Sequence, residues 1–306
     1  MCSMKIILLT ILTLFGFYYR SFSQDSPPST DIWLLQLKTN TANSLIVSNY
    51  KKITDNPGYD NQPFFVPSLN SILYVSDKNS TQTDIYQFDL ATGISKRVLK
   101  TEYYKEYSPM ISYDGKFISC INIEPDGTSQ RFWQFPFSAG IGKPLFPDIT
   151  DVGYYCWLDE ELVSLIRIGK PENTNLSISI ANISTDVVQK IDDQVGRCIQ
   201  KARNRDIMYY VKKYDSIDWK IRVYDFERNV YKGEIQLPVG QEDFTVGPND
   251  VIWLSSNGKI IEASLQNPQW KTVFDFSTTP FKNFYRLVYS PEFNILAIVS
   301  YDGKKP

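Results

Sequence analysis

The sequence predicts an all-β fold: a six-bladed β-propeller of four-stranded antiparallel blades. Three observations carry this. Two kinds of strand pair alternate along the chain, six of each. They recur at a spacing of 39 to 53 residues, the length that a blade of four strands needs. Beyond the first 23 residues, no stretch shows sustained apolar spacing at i, i+3, i+4, so helices are not expected. Composition agrees, because 20 Tyr and 18 Phe among 306 residues favour strands. At 42% hydrophobic residues, the chain can bury a sizeable core.

The first element is not part of the propeller. Residues 1–23 read as an export signal: Lys5 is basic, 6–19 is an apolar run, and the small residues Ser21 and Ser23 precede Gln24. The run is shorter than the roughly 20 residues that span a bilayer. No cysteine follows it to carry a lipid, so no membrane span is expected in the mature chain. Losing 1–23 removes Lys5 and Arg20 and no acids, which takes the net charge from −2 to −4. Residues 24–30, with Pro27 and Pro28, read as a short tether, and 31–306 as the propeller. An exported monomer, periplasmic or extracellular, is expected.

The first kind of strand pair covers 63–76, 109–121, 154–166, 198–211, 244–255 and 287–300. Its turns carry Asn70, Asp114-Gly115, Asp159, Asn204, Asn249 and Asn294, which are residue types that suit tight hairpins. The second kind covers 31–53, 84–99, 132–146, 176–191, 221–237 and 260–274. Its turns carry Asn43, Gly93, Gly140, Gly142, Asp186, Asn229 and Asn267. The chain starts with the second kind and ends with the first. The last blade is therefore expected to join both ends, with 287–300 as inner strands and 31–53 as outer strands. That closure removes otherwise open sheet edges.

Several repeats resemble a known family. Gln62-Pro63-Phe64-Phe65-Val66-Pro67, then 71–76, then Asp84-Ile85-Tyr86-Gln87-Phe88-Asp89-Leu90, resemble the WD-like repeat of TolB-type six-bladed propellers. Ser108-Pro109 followed by Tyr113-Asp114-Gly115-Lys116 is similar to that family's turn, and Ser290-Pro291-Glu292 echoes it. The resemblance is strong over 57–127, weak over 130–260 and partial at 284–303, and it covers only the propeller part of TolB. It implies a periplasmic or secreted scaffold that binds a partner and is not catalytic.

The chain has no histidine, which removes the usual general base and imidazole ligand and any Ser-His-Asp arrangement. It has no Gly-x-Ser-x-Gly either. Ser112-Tyr113-Asp114-Gly115 and Ser300-Tyr301-Asp302-Gly303 lack the spacer residue of a sialidase Asp-box and read as ordinary hairpin turns. The acidic balance argues against nucleic acid as a partner. Cys120, Cys156 and Cys198 are odd in number and widely spaced, so they read as buried core residues. A Cys156–Cys198 bridge is the alternative that an oxidising compartment allows.

In a propeller, the starts of the innermost strands line one mouth of the central channel. Here they bring Asp60, Glu106, Asp151, Asp193 and Glu242, beside Tyr59, Tyr107, Tyr154 and Phe284. Carboxylates sharing a concavity raise one another's pKa or hold a cation. Oxygen-only ligands favour Ca²⁺ over zinc; no other cofactor is expected. The same ring could receive a basic group of a protein or peptide partner. The alternative function is a carbohydrate-active hydrolase or lyase using two of these carboxylates across the mouth. The plainest account of the acids is as solvated residues at strand starts.

Overall fold

A computed structural model describes residues 28–301, apart from 42–43, 79–81, 100, 138–139 and 170–174. The expected export signal, the tether up to residue 27 and the turn residue Asn43 lie outside the described residues.

The chain begins with β1 (Thr30–Thr39) and β2 (Leu45–Lys52). Blade 1 follows as β3 (Asp60–Val66), β4 (Ser71–Ser76), β5 (Asp84–Asp89) and β6 (Ser95–Leu99). Blade 2 is β7 (Lys105–Ile111), β8 (Phe117–Ile123), β9 (Gln130–Pro136) and β10 (Lys143–Pro144). Blade 3 is β11 (Val152–Trp157), β12 (Leu162–Arg167), β13 (Ser177–Asn182) and β14 (Val188–Asp193). Blade 4 is β15 (Val195–Lys201), β16 (Ile207–Lys213), β17 (Trp219–Asp225) and β18 (Val230–Gln236). Blade 5 is β19 (Phe244–Val246), β20 (Ile252–Ser256), β21 (Lys259–Ala263) and β22 (Lys271–Asp275). Blade 6 closes the ring: β23 (Phe284–Ser290) and β24 (Ile295–Tyr301) pair with β1 and β2 in the order β2-β1-β24-β23. Every strand pair is antiparallel.

Burial follows strand position within the blade. The second strand has neighbouring blades on both faces, so it reads as a continuous apolar run: every residue of β4 is buried, as are the central five of β24. The outermost strands β2, β14 and β18 are mostly exposed and carry the charge. Six apolar clusters fill the ring, one at each seam between neighbouring blades. The turn residues behave as their types require. Asn70, Asp186, Asn229, Asn249 and Asn294 adopt positive φ between 47° and 58°, a region that Asn and Asp tolerate better than most residues.

Two details differ from the sequence expectation. Thr30, assigned to the tether, begins β1, and its Oγ1 donates to the Asp60 carbonyl at 2.9 Å. The innermost strands also start up to four residues earlier than the apolar pattern suggests, and several of their first residues are polar or aromatic yet still paired. Asp60 pairs with Ser76 and Glu106 with Asn122.

Cys120, Cys156 and Cys198 are free and buried, so the alternative bridge is not formed. Burial raises all three thiols, Cys156 to about 12. At pH 8 the thiolate fraction of Cys156 is then on the order of 10⁻⁴. In a Cys2→Ser protein, thiol labelling of the folded state should run on the order of a thousandfold slower than for a free thiol. Unfolding should release all three groups together. Rapid labelling of the native chain would show that these sites open.

Candidate functional site: the central cavity

The innermost strands are bulged near their starts. The pairing slips between Asn61 and Phe64, between Tyr107 and Met110, and between Phe284 and Arg286. Gln62 and Ser108 sit at φ 53°, an uncommon conformation for residues other than glycine, and each precedes a proline. A bulge re-aims the side chains around it. Here the two bulges are tied together: the Ser108 N–H donates to Gln62 Oε1 at 2.6 Å, and Tyr155 Oη donates to the Ser108 carbonyl at 2.8 Å.

Strand alternation then separates the residues expected at one mouth, since consecutive side chains point to opposite sides. Tyr59 and Tyr107 meet edge to face at 6.3 Å, with Tyr154, Tyr285 and Arg286 within electrostatic reach of Tyr59. Their neighbours Asp60 and Glu106 point the other way and are fully buried. Asp60 lies at the seam with blade 6, near Asp31, and neither carboxylate oxygen has a hydrogen-bond partner of good geometry among the described residues. Burial pushes its carboxyl up to about 7; the Ser76 hydroxyl opposes this, and Asp31 and Asp77 add to it. Glu106 lies at the seam with blade 1. Its amide donates to the Thr83 carbonyl at 3.0 Å, and its Oε1 accepts from Thr101. Burial pushes Glu106 up to about 8.

The remaining expected residues also have separate roles. Asp151 bridges to Gln130 of blade 2 and is ion-paired to Arg167. Asp193 ends the outermost strand of blade 3, with its side chain 60% exposed and ion-paired to Lys190 at 2.5 Å. The adjacent Asp192 is the networked one, holding Lys212 at 2.7 Å and Arg222 at 2.5 Å. Glu242 pairs with Lys213 at 2.8 Å and Arg197 at 3.2 Å. Gly196 makes room for it: a Cβ there would stand 2.6 Å from Glu242 Oε2. Phe284 is 6% exposed and packs with Phe276 and Phe281 in the seam between blades 5 and 6, away from the channel. The five carboxylates therefore do not share one concavity. Among the described residues, no three of Cys, Asp or Glu form a group that could hold a metal ion.

What the fold does assemble is a central cavity of about 470 Å³, lined by all six innermost strands. Its walls are largely apolar, with Pro63, Phe64, Pro109, Met110, Ile199 and Val288. It opens at the end where the inner strands turn, between the exposed residues Pro67, Tyr113 and Glu292. The opposite end is packed by Tyr59 and Tyr107 and by Tyr285, which stacks on Tyr301 at 4.5 Å. Deep in the cavity, Arg197 grips Asp243 through Nε at 3.3 Å and through an Nη. Arg286 donates to Asn61 Oδ1 at 2.8 Å and lies 3.7 Å from Asp243 Oδ1, while Asn61 donates to Tyr285 Oη. Sequence reasoning set Asn61 and Asp243 among the strand starts without choosing them, and missed Arg197, Tyr285 and Arg286. Asn61, Asp243 and Tyr285 are next-door neighbours of residues that it chose, on the opposite side of the strand.

No protein-family model and no curated protein matches the chain by sequence. Solved structures do match by shape. A TolB-type protein from Agrobacterium tumefaciens superposes with a TM-score of 0.62 at 12% identity, covering 91% of this chain and all (100%) of that one. TolB from Acinetobacter baumannii gives 0.58 at 12% identity, over 90% of this chain; the match spans only 64% of that protein's length. An oligogalacturonate lyase in complex with manganese gives 0.58 at 13% identity, over 85% of this chain and 82% of that one. At such identities the likeness is one of fold, and the fold of this chain is that of the TolB-like six-bladed β-propellers.

Proposed function

We propose that this chain is an exported, non-catalytic scaffold whose central cavity receives a segment of a protein or peptide partner. The observation that carries this reading is the open, mostly apolar cavity of about 470 Å³, a size that accepts a small ligand or a few peptide residues. The aromatic and proline walls supply rigid contact area of the kind that dominates binding energy. The carboxylates lining the cavity are Asp243, clamped by Arg197, and Glu292 on the rim, which accepts from Ser290 Oγ at 2.8 Å. A glycoside hydrolase needs two free carboxyl groups facing each other across the bond to be broken, so this pairing favours binding over hydrolysis. The signal-like N-terminus supports a periplasmic or extracellular location.

The test is to pan a random peptide display library against the purified protein and compare the unmodified chain with Met110→Trp, which puts an indole into the cavity. Enriched peptides should bind the unmodified chain and lose at least tenfold in affinity for the variant, while the thermal transition stays within a few degrees. Peptides that bind both proteins equally would place the binding surface elsewhere. Turnover of oligogalacturonate by the unmodified chain would favour the enzyme reading.

A further inference from the structure

The charge inside the cavity has the opposite sign to that of the molecule. Its lining holds four basic groups, Arg197, Lys201, Arg203 and Arg286, against two carboxylates, Asp243 and Glu292. The whole chain carries −2. Three of the four basic groups are already engaged. Arg197 is matched by Asp243 and Glu242. Arg203 donates to the Tyr289 carbonyl at 2.9 Å and stacks on that ring, and Lys201 donates to the Ala202 carbonyl at 3.1 Å. Arg286 differs. Its hydrogen bond is to the neutral Asn61, and the nearest carboxylate, Asp243, is 3.7 Å away and already held by Arg197. A guanidinium offers five donors and stays charged at any working pH. Arg286 thus shares Asp243 with Arg197, lies 5.9 Å from the centre of the Tyr285 ring, and keeps donors to spare. Holding a charge away from water without a matched partner is unfavourable, and a carboxylate is the group that matches a guanidinium fork best.

From this, the geometry points to a peptide's C-terminal carboxylate seated against Arg286, with an apolar last side chain against Phe64, Met110, Ile199 and Val288. The inference rests on the peptide-binding reading above and narrows it. A chain end suits the shape, because the cavity opens at one end and is packed with tyrosines at the other. An internal segment would have to enter and leave by the same mouth. An apolar residue suits the walls that Phe64, Met110, Ile199 and Val288 form, and three of the polar groups among them are already in use. Gln62 accepts from Ser108, Thr245 accepts from the Tyr289 amide at 3.3 Å, and Ser290 donates to Glu292.

The experiment uses fluorescein-labelled pentapeptides, Gly-Ser-Gly followed by two positions drawn from Leu, Ile, Val, Phe and Met. Each is made as the free acid and as the C-terminal amide, and trigalacturonate is the competitor. Binding is read by fluorescence anisotropy. The best free acids should bind at least tenfold tighter than their amides. Arg286→Gln should abolish that preference, and Arg286→Lys should keep part of it. The acid-to-amide ratio on the unmodified chain stands even if a variant folds poorly. Equal binding of acid and amide overturns the carboxylate assignment and leaves the peptide reading intact. Binding of trigalacturonate with no peptide binding overturns both, and so does the absence of binding by every probe up to millimolar concentration.

Discussion

Deleting Thr30–Lys52 should leave a chain with no cooperative unfolding transition. These residues form β1 and β2, the outer half of blade 6. Ile32, Leu34, Leu35 and Leu37 are at most 3% exposed and serve two seams at once. Ile32 and Leu34 pack toward blade 1, and Leu35 and Leu37 toward blade 5. Fully burying one such side chain contributes about 1.5–3 kcal/mol, so the four together contribute roughly 6–12 kcal/mol. That rivals the total stability of a typical domain, about 5–15 kcal/mol. The deletion also strips β24 of its partner along seven residue pairs, from Tyr301 to Ile295, leaving buried backbone groups unmatched. Trimming the residues before Thr30 should change little, because Thr30 is where pairing begins. Urea unfolding of the two truncations is the measurement. A peptide of residues 28–52 added in trans should restore the transition to the deleted chain. A deletion that still unfolds cooperatively near the midpoint of the whole chain would show that blade 6 is dispensable.

The ring was legible in the sequence because it is written redundantly. Each blade repeats the same two hairpins, and the phase of the repeat dictates that the ends meet; the observed pairing of Leu34 with Ala297 and Ile32 with Val299 is that closure. The site was far less legible, and the reason is local. Side chains on a strand alternate, so a shift of one residue exchanges the channel face for the seam face. The bulges at Gln62 and Ser108 lie at the position where that choice is made. Asp60, Glu106 and Phe284 were therefore placed at the channel, while Asn61, Asp243 and Tyr285 beside the chosen residues are the ones that face it. The arginines carry no local signature at all. Arg197 finds Asp243 at 46 positions' distance, across the seam between blades 4 and 5, and Arg286 finds Asn61 at 225, a pair that only the closed ring brings together. The aromatic part of the expectation fared differently. Tyr59, Tyr107 and Tyr154 do lie together.

Raising the pH from 5 to 8.5 should destabilise the protein, and Asp60→Asn with Glu106→Gln should remove much of that loss. Burial is the main cause of both raised carboxyls. In the unfolded chain they ionise near their ordinary values of 3.8 and 4.5; in the fold they hold their protons to about 7 and about 8. Between those limits the folded chain binds protons that the unfolded chain has released, so stability falls as pH rises. The contribution is fully present below about pH 4, is lost progressively through pH 7 for Asp60 and pH 8 for Glu106, and changes no further above that. The span from 3.8 to about 7 corresponds to roughly 4 kcal/mol, and that from 4.5 to about 8 to roughly 5 kcal/mol, as upper limits before the seams relax. Of this, roughly 7 kcal/mol falls between pH 5 and pH 8.5, and even half of that is about 5–10 °C in melting temperature for a chain of this size. The amide variants carry no charge at any of these pH values, so their melting temperature should change much less over the same range. The unmodified chain and the double variant are compared by thermal unfolding at pH 5 and pH 8.5. Parallel pH dependence in the two proteins would mean that the seams admit enough water to ionise both acids without loss, and that Asp60 and Glu106 behave as solvated residues despite their burial.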